Sequence, residues 1–102
     1  MEDADVASAL NAHGTALTGQ GLYEEAHAYL ERALTLREDT LGEQDFDTST
    51  SLLKLGILSQ LRTHDDEARE YLERALAVRF ALCGEYHAAT ELVRDNLRLL
   101  DG

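Results

Sequence analysis

The sequence predicts an all-α array: two helix-turn-helix hairpins followed by one closing helix. Two observations carry this. The block from Glu25 to Arg37 returns between Glu67 and Arg79, an offset of 42 residues with 9 of 13 positions identical. A period in the range of about 20 to 50 residues marks a chain in which each unit buries its apolar face only against its neighbours. The second observation is that the apolar residues recur at helical spacing, in a chain with no proline and no serine- or glycine-rich linker.

The first helix runs from about Asp5 to Thr18, with Leu10, Gly14 and Leu17 on one face. Asp3 or Asp5 supplies a capping carboxylate. Gly19, Gln20 and Gly21 follow as a turn, because two glycines this close end a helix. The second helix, about Tyr23 to Thr40, places Ala26, Leu30, Ala33 and Leu34 in a core-facing stripe. Glu24 and Glu25 lie in its first turn, where the helix dipole favours them, and Gly42 closes it.

The third helix, about Asp47 to Leu61, repeats the first: Asp5, Leu10 and Gly14 return as Asp47, Leu52 and Gly56. It adds Leu53, Leu55, Ile57, Leu58 and Leu61, so it is apolar nearly all round and belongs in the middle of the array. The fourth, about Asp66 to Cys83, reproduces the second stripe with Ala68, Leu72, Ala75 and Leu76, and Gly84 matches Gly42. The fifth, about Ala88 to Leu100, carries Val93, Leu97 and Leu100, with Leu92 and Leu99 on a second edge. Its remaining positions (Arg94, Asp95, Asn96, Arg98) are polar, as a terminal helix facing water requires. The expected organisation is one domain over residues 1–102, with repeats at about 5–46 and 47–88 and a closing helix at about 88–100.

Composition narrows the function classes. At 44% hydrophobic and 28% charged, the 102 residues suit a single soluble domain. The formal net charge of −11 repels phosphate backbones and anionic lipid, which argues against nucleic-acid and membrane partners and favours a basic one. Cys83 is the lone cysteine, so no internal disulfide forms and a reducing, cytoplasmic setting is expected. The opening MEDADVASAL lacks the basic residues of a signal peptide, and no apolar run reaches membrane-spanning length.

Gly14, the run Gly21-Leu-Tyr-Glu-Glu-Ala26 and the run Tyr29-Leu-Glu-Arg-Ala-Leu34 resemble a tetratricopeptide repeat (TPR). The longer variety found in kinesin light chains and many bacterial proteins is the nearer likeness. Its unit also has the length seen here, and its second helix ends in a Leu-Gly like Leu41-Gly42. The resemblance covers essentially the whole chain and implies a right-handed superhelix, an α-solenoid. Small residues at Gly14, Ala26 and Ala33, and again at Gly56, Ala68 and Ala75, let paired helices cross closely. The chain departs from the family in three places. Phe46 and Ala88 stand where a proline usually opens each new repeat, so those loops are looser or packed by Phe46. His13 replaces the core leucine found at Leu55, either buried with a hydrogen bond or partly open to the groove. The third unit has only its first helix.

Family members generally bind other proteins along the concave wall built by the first helix of each pair. By position that wall comprises Ser8, Asn11, Ala12, Thr15 and Thr18, then Thr50, Leu53, Lys54, Ile57 and Leu61, then Leu92, Asn96 and Leu99. Leu53, Ile57 and Leu61 form an apolar stripe that the hairpin core does not need, which suits an amphipathic helix or apolar peptide. The fifth helix or a second copy of the chain would cover the same stripe equally well. Asn11, Lys54 and Asn96 would orient a ligand, and Thr15 belongs to the same contact set. The clamp of several basic residues by which some family members hold a C-terminal carboxylate is missing.

No catalytic, cofactor or metal site is expected. Cys83 and His87 are separated by Gly84, and no second pair stands at zinc spacing, so Cys83 reads as a small buried hydrophobe. The glycines from Gly14 to Gly21 lack the Lys-Ser/Thr of a phosphate loop. The acidic pairs Glu24/Glu25 and Asp65/Asp66 sit at helix starts, where the dipole explains them. The expected function is a non-catalytic interaction module; the alternative is an assembly scaffold, including a homodimer, or a regulatory fragment of a larger repeat protein.

Overall fold

The computed structural model describes residues 3–101 as five helices: α1 (Asp3–Gly19), α2 (Tyr23–Leu41), α3 (Phe46–Leu61), α4 (Asp65–Cys83) and α5 (Ala88–Asp101). No strand occurs among the described residues. α1 pairs with α2 and α3 with α4, α3 and α5 each dock on the preceding hairpin, and the helix ends lie within two residues of the sequence expectation. Capping at Asp3 concerns a side chain outside the described ones, whereas Asp5 lies inside α1 and exposed.

The close crossing of each hairpin follows from one small residue. A Cβ built on Gly14 would stand 2.6 Å from Leu30 Cγ, and one on Gly56 would stand 2.7 Å from Leu72 Cγ. Each leucine therefore fills the space its glycine leaves. Leu30, Leu52, Leu55, Leu58 and Leu72 are fully buried, each contributing roughly 1.5–3 kcal/mol of apolar transfer. In α5 the equivalent positions of Leu52 and Gly56 are Arg94 and Arg98. These join Glu91 and Asp95 in an ion-pair cluster, Arg94 to Glu91 at 3.1 Å and Arg98 to Asp95 at 2.6 Å. A face that admits a second helix in α1 and α3 is thus charged in α5.

The junctions between units are built twice from the same parts. Gly42 and Gly84, at φ +91° and +95° with ψ near 166–167°, end α2 and α4 in a conformation essentially restricted to glycine. Thr48 and Thr90 donate from Oγ1 to the carbonyls of Gly42 and Gly84, at 2.7 and 2.8 Å. Asp45 caps α3 by accepting from the Asp47 N–H at 2.8 Å, and His87 Nδ1 accepts from Ala89 N–H at 3.0 Å in the same role. These caps stand in for the missing prolines. Phe46 packs as well, its ring 4.4 Å from the guanidinium carbon of Arg79.

Two expectations are corrected. His13 is exposed rather than buried, its ring edge-to-face with Tyr29 at a centroid distance of 4.5 Å, because no described helix packs on the outer side of α1. Cys83 is only partly buried, being the last residue of α4.

Thr63 stands where Gly21 stands in the first unit and adopts φ +60°, a left-handed conformation that a β-branched residue tolerates poorly. Thr63→Gly is expected to raise stability by about 0.5–1 kcal/mol, because strain relief outweighs the added freedom of the unfolded chain. Urea unfolding followed by circular dichroism checks this; a lower midpoint would contradict it.

Candidate functional site: the concave wall

α1, α3 and α5, the first helices of the successive units, carry the seven contact residues that the family resemblance assigns to the concave wall, and the structure divides those residues into two groups. Asn11 and Leu53 are interior. Leu53 is only 4% exposed and belongs to the hydrophobic core, so it leaves the predicted apolar stripe: α5 and α1 both press on α3. Asn11 is 8% exposed, and its Oδ1 accepts from Ser51 Oγ at 3.3 Å. Neither presents a free surface to a ligand.

The other residues are reachable. Thr15, Thr18, Gly19, Leu30, Lys54 and Ile57 line a cleft of about 220 Å³ between the two hairpins. Thr15 and Thr18 donate their hydroxyls back to the carbonyls of Asn11 and Gly14, both at 2.8 Å, which leaves their methyl groups and oxygen lone pairs available. Leu61, at the end of α3, is 50% exposed. On α5, Leu92 and Leu99 occupy the places of Thr50 and Ile57 and are 50% and 67% exposed. Asn96 takes the place of Lys54, with its amide donating to Leu92 O at 2.9 Å. The wall therefore grades from small and hydroxylated on α1 (Ser8, Ala12, Thr15), through Lys54 and Ile57, to apolar on α5.

Beneath this wall lies a polar layer that sequence reasoning missed. Arg37, 7% exposed, donates from Nη1 to Asp47 O and Ser51 Oγ, both at 3.0 Å, and from Nη2 to Ser8 Oγ at 3.3 Å. Arg79, 4% exposed, repeats the arrangement with Ala89 O at 3.1 Å and Thr50 Oγ1 at 2.9 Å, and adds Ser49 Oγ at 2.9 Å. Each arginine thus ties the end of one hairpin to the two first helices that flank it. Burial lowers the Arg79 pKa, since its acceptors are hydroxyls and a carbonyl rather than a carboxylate. The signal was available: Arg37 and Arg79 are the final identity of the duplicated block.

The opposite wall, formed by α2 and α4, is crossed by Arg74–Glu38 at 2.9 Å, and Arg62, just past α3, reaches Glu24 at 2.9 Å. Tyr71 lies there too, its phenol pushed up to about 12 by burial and by the carboxylates of Glu31 and Glu67. These are partly solvated pairs of small energetic weight that set orientation.

With the hairpins, their glycine crossings and the graded wall in place, the sequence comparison is decisive: the tetratricopeptide repeat model matches residues 5–81. The chain belongs to the tetratricopeptide-repeat family. Among curated proteins, none matches the chain. Membership makes this TPR chain a protein–protein interaction module in the general sense, and the α-solenoid expected from the sequence is the fold observed. No described helix of the TPR array is long and apolar enough to cross a membrane.

Proposed function

We propose that this TPR chain is a non-catalytic cytoplasmic module that docks a short helical or extended segment of another protein across its concave wall. The observation that carries the reading is the cleft lined by Thr15, Thr18, Lys54 and Ile57, continued by exposed Leu61, Leu92 and Leu99. Isolated exposed leucines are ordinary, but here Leu99 on α5 repeats the position of Ile57 on α3, and Leu92 and Leu61 add apolar surface on the same two helices. The ligand would lay apolar side chains on α3 and α5 and its polar end on α1. Lys54 would face an acidic group of the ligand, and Asn96 an amide or carbonyl. Buried Leu53 and Asn11 hold the wall in place rather than touch the ligand.

Selection from a random peptide library against the intact chain tests this. The expected winners are amphipathic peptides whose affinity falls roughly tenfold or more, about 1.4 kcal/mol, with Leu61→Glu or Lys54→Glu. Both side chains reach solvent, so circular dichroism should show an unchanged helical array. Peptides that bind the double variant Leu61→Glu/Leu99→Glu as tightly as the natural chain would refute the reading. A concentration-dependent dimer in sedimentation, lost in the same double variant, would instead assign the wall to assembly.

A further inference from the structure

The repeat allows one surface to be seen twice, once covered and once open. In the second unit, Leu52, Arg74, Ala77 and Val78 line a groove between α3 and α4 that the turn residues Glu43 and Gln44 fill from the preceding hairpin, leaving about 140 Å³. The equivalent groove of the first unit lies between α1 and α2, and no described residue fills it as Glu43 and Gln44 do in the second. It opens to about 600 Å³, lined chiefly by Val6, Leu10, Leu36 and Thr35, with Glu31 and Asp39 on its rim. Burial follows the same contrast. Thr48, Leu52 and Val78 are nearly inaccessible, whereas Val6 is 48% exposed and Leu10 and Leu36 are only partly buried.

We propose that this end groove is a second docking surface, distinct from the concave wall, and that its occupant is a single basic amphipathic helix from another protein. The residues argue against a further in-register hairpin in that place. Such a hairpin needs Thr48 to bind the preceding Gly42 carbonyl and needs Leu55 and Leu58 on the outer ridge of α3. The first unit has Val6, His13 and Ala16 at those positions, so the ridge has lost its hydroxyl and its bulk while the groove behind it has stayed apolar. What remains is an open trough between α1 and α2 with Val6, Leu10 and Leu36 along it. A second copy is disfavoured by charge. The rim sets Glu31 and Asp39 against Arg32 alone, and each chain carries a formal net charge of −11, so two copies would meet with like fields. A helix with leucine-like residues on one face and lysines flanking it meets both requirements.

The probe is a synthetic amphipathic helix of about 15 residues made of leucine and lysine, titrated into the intact chain and followed by amide shifts in nuclear magnetic resonance. Shifts should cluster at Val6, Leu10, Thr35 and Leu36, and a matched leucine–glutamate helix should bind at least roughly tenfold more weakly. Asp39→Lys, an exposed change that leaves the packing alone, should weaken the lysine peptide severalfold, as should Val6→Lys. Leu61→Glu should leave it unchanged, which separates this surface from the concave wall. Shifts confined to Ile57, Leu61, Leu92 and Leu99 would overturn the proposal, as would equal binding of both peptides. A dimer abolished by Val6→Lys would overturn it in favour of a second copy.

Discussion

Truncating Leu72 to alanine is expected to destabilise the chain by about 3 kcal/mol, the typical loss for a fully buried leucine that leaves a cavity. Adding one methyl opposite it, as Gly56→Ala, is expected to cost about 2 kcal/mol. A helix-interior alanine would ordinarily gain up to about 1 kcal/mol over glycine, but here its Cβ falls 2.7 Å from Leu72 Cγ and Cδ2. Leu72 is fully buried and cannot swing away. The two changes touch each other, so together they should cost clearly less than their separate effects combined, because the new methyl enters the space the leucine vacates. Urea unfolding of the single and double variants measures the coupling. Gly19→Ala is the control, since nothing lies within 4 Å of the added methyl. Strict additivity would mean that the crossing of α3 and α4 is not set by this contact.

Removing Arg79 should loosen α5. Arg79→Ala is expected to cost about 3 kcal/mol, because it strips charge-assisted hydrogen bonds from Ser49 and Thr50 on α3 and from Ala89 on α5, and opens a void beside Phe46. The native arrangement also carries a desolvation penalty, since a buried cation is answered only by neutral oxygens. Arg79→Met keeps the volume and sheds that penalty, so its loss should be no more than about 1 kcal/mol. Arg79→Lys cannot reach the same spread of acceptors and should fall nearer to alanine. Hydrogen exchange provides the local readout, with α5 amides losing protection before those of α1 and α2. Equal losses for methionine and alanine would show that the hydrogen bonds, rather than packing, hold the junction.

The helical architecture was legible in the residues alone. The 42-residue offset and the helical stripes placed all five helices, and Gly14, Ala26, Leu30 and their counterparts were legible as the crossing of each hairpin. Local periodicity suffices there, because a helix that pairs with its sequence neighbour writes its buried face into its own spacing.

Which faces are shared between units depends on the packing of the assembled helices. Leu53 and Ile57 have the same helical credentials, yet contacts from helices distant in sequence bury the first and leave the second in a cleft. His13 is exposed for the reverse reason, since the first unit has no predecessor among the described residues to cover it. Arg37 and Arg79 close the duplicated block, and their burial depends on hydroxyls that arrive from helices up to 30 residues away in the chain. Burial of that kind is a property of the assembled stack, and no single helix encodes it.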